Sequence, residues 1–284
     1  MIRNRYHFVI GAVFVALVLA AAAPAEAQRD YEPLFDKFNF KLAGSWLAIK
    51  TEIRLDSDLT EGEGTKLNFE DDLNLGSGEI IPTLAFEWQV GRKHKLGVRW
   101  QDISRDSSAQ ALTEIQWGDE TIPINADITL GFDITQAFID YTYYPWVKER
   151  WAAGFGIGLR WMDMTTTLEW NEETIGGGSS DVNAAAPLPY LYFEYRRLFS
   201  EHWRFITGLG WLYLDLGDLK GGQWIGRAGI EYLAGKRWSF GGAFNLSNIG
   251  VDWKGLKDEE DNSHVSAEFD MGINDFTVFA RVRF

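Results

Sequence analysis

From Trp151 to Trp161 every second residue is apolar. Trp151, Ala153, Phe155, Ile157, Leu159 and Trp161 form one stripe, and Ala152, Gly154, Gly156, Gly158 and Arg160 oppose it. A period of two marks a strand, because successive side chains point to opposite faces. The second face decides what kind of strand it is. Three glycines there would weaken the packing of a soluble sandwich, whereas a narrow, curved barrel wall has a use for them. The two tryptophans stand ten residues apart. At ~3.3 Å per residue and a tilt near 40°, that is roughly 25 Å of height, the span of an apolar band between two aromatic girdles.

The same alternation recurs along the chain. Phe38, Phe40, Leu42, Gly44, Trp46 and Ala48 oppose Asn39, Lys41, Ala43 and Ser45. Pro82, Leu84, Phe86, Trp88 and Val90 oppose Thr83, Ala85, Glu87 and Gln89, and Leu96, Val98 and Trp100 oppose Gly97, Arg99 and Gln101. Later stripes run through Ile139 and Tyr141, Leu191 and Phe193, Trp203 and Trp211, Trp224 and Ile230, and Trp238 and Phe244. The last carries Phe276, Val278, Ala280, Val282 and Phe284. Its parity differs from that of the apolar residues before Ile273, which predicts a bulge or a break between Ile273 and Phe276.

The connections fall into two classes. Short basic turns lie near Arg92, Lys148, His202 and Lys236, and longer acidic or glycine-rich loops lie around Glu61, Trp117, Gly177, Lys220 and Glu259. The polar stretches 56–64, 104–125, 171–186 and 254–262 read as loops. Four turns and five loops join ten strands. Eight strands would leave too much chain in loops, and twelve would follow if 65–75 and 115–124 formed strands of their own. The expected fold is all-β, a closed antiparallel transmembrane β-barrel of about ten strands, with short turns on one side and long loops on the other.

The N-terminus has the layout of a secretory signal: basic Arg3 and Arg5, an uncharged run from Phe8 to Ala23, and the small-x-small triplet Ala25-Glu26-Ala27. Cleavage after Ala27 is expected. This divides the chain into a signal peptide (1–27), a short polar periplasmic lead-in (28–37) and a barrel (38–284). No later segment reads as a transmembrane helix. Aromatic residues make up 15% and charged residues 24% of the chain, the combination that girdles and a polar lumen require. Without cysteine there is no disulfide framework. A net charge of −14 excludes a nucleic-acid partner, whose phosphates demand a basic face.

The signal peptide, the amphipathic strands over 38–284 and the ending Phe-Ala-Arg-Val-Arg-Phe284 together resemble Gram-negative outer-membrane β-barrel proteins, in architecture the small OmpA-like and OmpW-like or porin-like kinds. The resemblance implies residence in the outer membrane among lipid and lipopolysaccharide. It also implies assembly by the barrel-assembly machinery through the terminal strand, with Phe276, Val278, Val282 and Phe284 as the signal. It selects no subfamily and no activity.

Chemistry then rests on the residues facing inward. Glu87, Arg99, Asp140, Arg160, Glu194, Arg196, Arg227, Glu231 and Arg281 alternate with lipid-facing positions, as do Lys41 and Glu268. Buried charges persist only when paired or hydrated. They either form a salt-bridge ladder that fills a structural barrel or line a narrow channel for small polar solutes. A hydrolase at the outer rim would need His264, with Ser263, Ser266, Asn248 and Asp252 nearby, and a surface receptor or adhesin would act through the acidic loops. The clusters Asp56/Asp58/Glu61/Glu63, Glu70/Asp71/Asp72 and Asp258 to Asp261 offer carboxylates to divalent cations but lack the spacing of a defined calcium loop. No motif calls for a cofactor, and the protein is expected to be non-enzymatic.

Overall fold

The computed structural model describes residues 33–57, 64–76, 78–118, 120–172, 176–257 and 264–284. The signal peptide, most of the lead-in, and the acidic residues Asp58, Glu61, Glu63 and Asp258 to Asp261 lie outside them. No helix among the described residues is long and apolar enough to cross a membrane.

Ten long strands close into a ring: β1 (Phe38–Ser57), β3 (Gly78–Val90), β4 (His94–Gln110), β7 (Asp127–Val147), β8 (Trp151–Glu172), β9 (Gly176–Leu198), β10 (Trp203–Asp215), β11 (Leu219–Ala234), β12 (Trp238–Lys257) and β13 (His264–Arg283). Each pairs antiparallel with its neighbours, and β13 returns to β1. Three short strands belong to the connections: β2 (Leu67–Asn68) pairs with β1, and β5 (Ile115–Trp117) pairs with β6 (Glu120–Ile122).

Below, the wall obeys the membrane pattern. Ile157 is 61% exposed and Trp211 63%, with Leu42, Trp46, Val98, Ile139, Phe240 and Phe276 also facing out. Above that band the same strands continue with the same parity and the opposite chemistry. Leu47, Ile49, Ile103, Phe132, Leu168, Ile249 and Phe269 point inward and are buried. Lys50, Asp106, Asp133, Asp163 and Asp252 point outward. The outer medium has changed from lipid to water, so the apolar residues move to the inside. The extra ten or so residues of β7 and β8 raise this upper half roughly 25 Å above the bilayer.

That inversion corrects several expectations. Stretches 104–110 and 176–186 are strand rather than loop, and so is Asp56. No bulge or break interrupts β13 between Ile273 and Phe276, where both neighbouring registers run on. The change of stripe is a change of environment. The one irregularity in the β12–β13 pairing lies between Trp253 and Leu256. Glu268 is also not a lumen residue; it faces outward in the upper half and pairs with Arg54 at 2.8 Å.

One seam is incomplete. The β9–β10 register runs only from Arg204 opposite Leu198 to Trp211 opposite Leu191. Beyond it β9 carries Pro187 and Pro189, which have no N–H to offer a neighbour. Gln223 of β11 donates its side-chain amide to the Leu188 carbonyl at 2.8 Å instead.

Candidate functional site

The interior is layered, and each layer follows from the residues that the inward parity of the strands brings to one height. At the inner end the lead-in folds into the barrel mouth. Leu34 and Phe35 pack with Tyr144, Ala152, Leu198 and Leu233. Asp36 takes Arg204 at 2.9 Å and Arg283 at 2.6 Å, with Arg281 at 3.6 Å. Burial raises its pKa, but the three guanidiniums outweigh burial and hold the carboxyl well below the usual range. Glu231 accepts from Arg204 at 2.9 Å and faces Arg281 at 3.4 Å. The network continues through Glu87, Arg196 and Glu194 to Lys95, which lies 2.6 Å from Glu194.

Five of the nine predicted lumen residues therefore belong to one ion network: Glu87, Glu194, Arg196, Glu231 and Arg281. The other four, Arg99, Asp140, Arg160 and Arg227, line a cavity of about 110 Å³ that abuts it, together with Lys41, Asp275 and the network's own Glu87, Lys95 and Glu194. Tyr190 donates a hydrogen bond to Asp140, and Asn245 and Thr277 donate to Asp275, both at 2.6 Å. Arg160 gives its Nε–H to Gln136 at 2.8 Å. Gln101 lines the cavity as well and donates to Thr83 at 2.9 Å.

Sequence reading missed Asp36, Lys95, Arg204 and Arg283. Lys95 stood in a presumed turn and Asp36 in a presumed solvated lead-in. Arg204 and Arg283 do alternate with lipid-facing neighbours, and that parity could have found them. The lumenal glycines have a definite use: a Cβ at Gly156 would overlap Tyr192, and one at Gly158 would overlap Tyr190. Gly158→Ala is expected to lower barrel stability by about 1–3 kcal/mol, read as a shift in the urea unfolding midpoint. An unchanged midpoint would mean that Tyr190 is free to swing away.

An apolar core fills the upper barrel. Segment 64–76 and the β5–β6 hairpin drop into the upper barrel, burying Phe69, Leu73, Trp117 and Ile122. Phe69 packs edge-on against Phe132 at 5.3 Å, and the Trp117 indole donates to Ser180 at 3.3 Å. Glu70, read with Asp71 and Asp72 as part of a solvated acidic loop that could offer carboxylates to a cation, turns inward instead. It receives Arg105 at 2.6 Å and the Thr51 amide at 2.6 Å. Outside, Lys66 reaches Glu52 at 3.0 Å and Glu268 and Asp270 at 3.5 Å. Its hydrogen bond to Glu52 and these carboxylates raise its pKa. No cluster of His, Asp or Glu suited to a metal occurs among the described residues.

Of the residues offered for hydrolysis, Ser263 lies outside the described residues, and Asn248 and Asp252 are not brought to His264. His264 registers opposite Lys257, whereas Asn248 lies opposite Gly272, eight residues further along β13 and roughly 26 Å away. Asp252 lies opposite Glu268, roughly 13 Å along the strand.

No protein-family model matches the chain, and no curated protein does so. Among solved structures it is similar to the translocator domain of the autotransporter NalP from Neisseria meningitidis, with a TM-score of 0.50 and 11% identity, covering 98% of this chain and 96% of that one. Looser likenesses are to the toluene transporter TodX of Pseudomonas putida (TM-score 0.32, 10% identity, 90% of each chain) and to Ail, the attachment invasion locus protein of Yersinia pestis (TM-score 0.30, 8% identity, 87% of this chain and 99% of that one). The fold is that of the transmembrane β-barrels of Gram-negative outer membranes.

Proposed function

We propose that this chain is a closed, non-enzymatic barrel of the outer membrane, a structural and surface protein whose resting lumen does not conduct. The observation that carries this reading is the double seal: the Asp36 network at the inner mouth and the Phe69–Trp117 core at the outer. A diffusion channel needs a continuous wet path, and the apolar core interrupts one.

Export by the N-terminal signal and insertion through Phe276, Val278, Val282 and Phe284 complete the reading. Phe276 and Val278 face the bilayer, while Val282 is covered beside Trp238. The upper barrel then stands above the membrane as a rigid, mainly acidic post amid lipopolysaccharide, where divalent cations can bridge its carboxylates to lipid phosphates.

Planar-bilayer recording of the refolded mature protein tests the proposal. The wild type is expected to be silent, and the protein lacking both the lead-in 28–37 and 111–126 to conduct. Stable unitary steps from the wild type would instead support the narrow-channel reading, in which Arg99, Arg160 and Arg227 face the solute.

A further inference from the structure

The cavity in the middle of the lumen is lined by cations that, unlike those of the ion network below it, have no carboxylate paired with them. Lys41, Arg99, Arg160 and Arg227 all line it, and none of the four forms an ion pair among the described residues. Four carboxylates line the same cavity, and two of them are already paired with other cations. Glu87 and Glu194 serve Arg196 and Lys95, and only Asp140 and Asp275 remain, each bonded to neutral donors.

The strand register explains why the cations gather. Lys41 lies beside Ala85, Ala85 beside Arg99, Arg99 beside Phe138 and Phe138 beside Arg160, one row across five neighbouring strands. The Phe138 ring sits between two guanidiniums, 3.8 Å from that of Arg99 and 5.1 Å from that of Arg160. On the other side Lys41 stands directly opposite Arg281, a like-charge pair that a sheet ordinarily avoids. The Arg99 Nε is buried and has no hydrogen-bond partner. Unpaired charge in a low-dielectric interior costs several kcal/mol per ion unless something answers it, and more cations than carboxylates line the cavity.

We propose that this cavity is a binding site for one small inorganic oxyanion, of phosphate or sulfate size, held between the Arg99 and Arg160 guanidiniums and the Lys41 ammonium. Guanidinium forks match the oxygens of such an anion in pairs, and a space of about 110 Å³ admits it. Closed at both ends, the site exchanges its anion slowly.

The test is to refold the mature protein in detergent with ³²P-labelled inorganic phosphate, pass it over a desalting column and count the label retained. About one phosphate per barrel is expected, with at least a tenfold loss in the Lys41→Met/Arg99→Gln protein. In parallel, the urea midpoint of the wild type is measured in phosphate, sulfate and chloride at matched ionic strength. It should rise saturably with the two oxyanions and not with chloride, and the double variant should lose this dependence. No retained label together with equal midpoints in all three salts would overturn the proposal. The wild-type measurements decide it even if the variant fails to fold, and the urea midpoints do not depend on whether the barrel conducts.

Discussion

Asp36→Asn is expected to destabilise the barrel by about 3–5 kcal/mol at neutral pH, the scale of breaking a buried ion pair by removing one partner. The carboxylate faces Arg204, Arg281 and Arg283 together, so its loss leaves guanidiniums buried beside a neutral amide. The effect has a definite pH dependence. Because the folded-state pKa of Asp36 is depressed, the carboxylate contributes its full stability above its unfolded pKa, near 3.9. That contribution is lost as the pH falls from there toward the folded value. Unfolding midpoints of wild type and Asp36→Asn should therefore differ most at pH 6–7 and approach each other below about pH 4. A constant gap across that range would assign the loss to packing of the lead-in rather than to charge.

The second large effect is expected at the outer seal. Arg105 is the deepest charge of the upper half, reaching Glu70 at 2.6 Å and the Thr51 hydroxyl at 2.8 Å inside an otherwise apolar core. Glu70→Ala leaves that guanidinium buried without its carboxylate, again a loss of about 3–5 kcal/mol. Replacing both, as Glu70→Leu/Arg105→Met, should recover most of the loss, since a buried pair exchanged for apolar residues of similar volume is often neutral. Glu70 is one of the ties that hold segment 64–76 to β1 and β4. If the single and double variants unfold at the same urea concentration, the pair is incidental. The core of Phe69, Leu73 and Trp117 would then seat the segment alone.

Much of the barrel was legible in the chain, and the reason is local. Inside the bilayer one face of each strand meets lipid, so Trp151 to Trp161 or Phe276 to Phe284 declares strand, face and span at once. The ring of ten follows from counting such stripes and the turns between them. The upper half was misread for an equally physical reason. Above the membrane the outward residues are Asp, Ser, Thr and Gly, and in sequence they look like loop. Ile103, Phe132 and Phe269 point inward there with the parity that polar residues hold lower down. A rule that assigns apolar side chains to the outside fails at the height where water replaces lipid.

The site divides in the same way. Alternation alone identified Glu87, Arg99, Asp140, Arg160, Glu194, Arg196, Arg227, Glu231 and Arg281 as inward-facing, since that depends only on parity within a strand. Which of them pair depends on stagger between strands, and no single strand encodes it. Only the closed barrel sets Glu194 between Lys95 and Arg196, lets Asp36 reach across to Arg204 and Arg283, and leaves Lys41, Arg99, Arg160 and Arg227 around one cavity. By itself the sequence determined a strand-built, lipid-facing barrel with a charged interior, because burial against lipid acts residue by residue. Tertiary structure alone decided that an ion network fills the inner mouth and an apolar core the outer end, because each requires side chains from distant parts of the chain at one height.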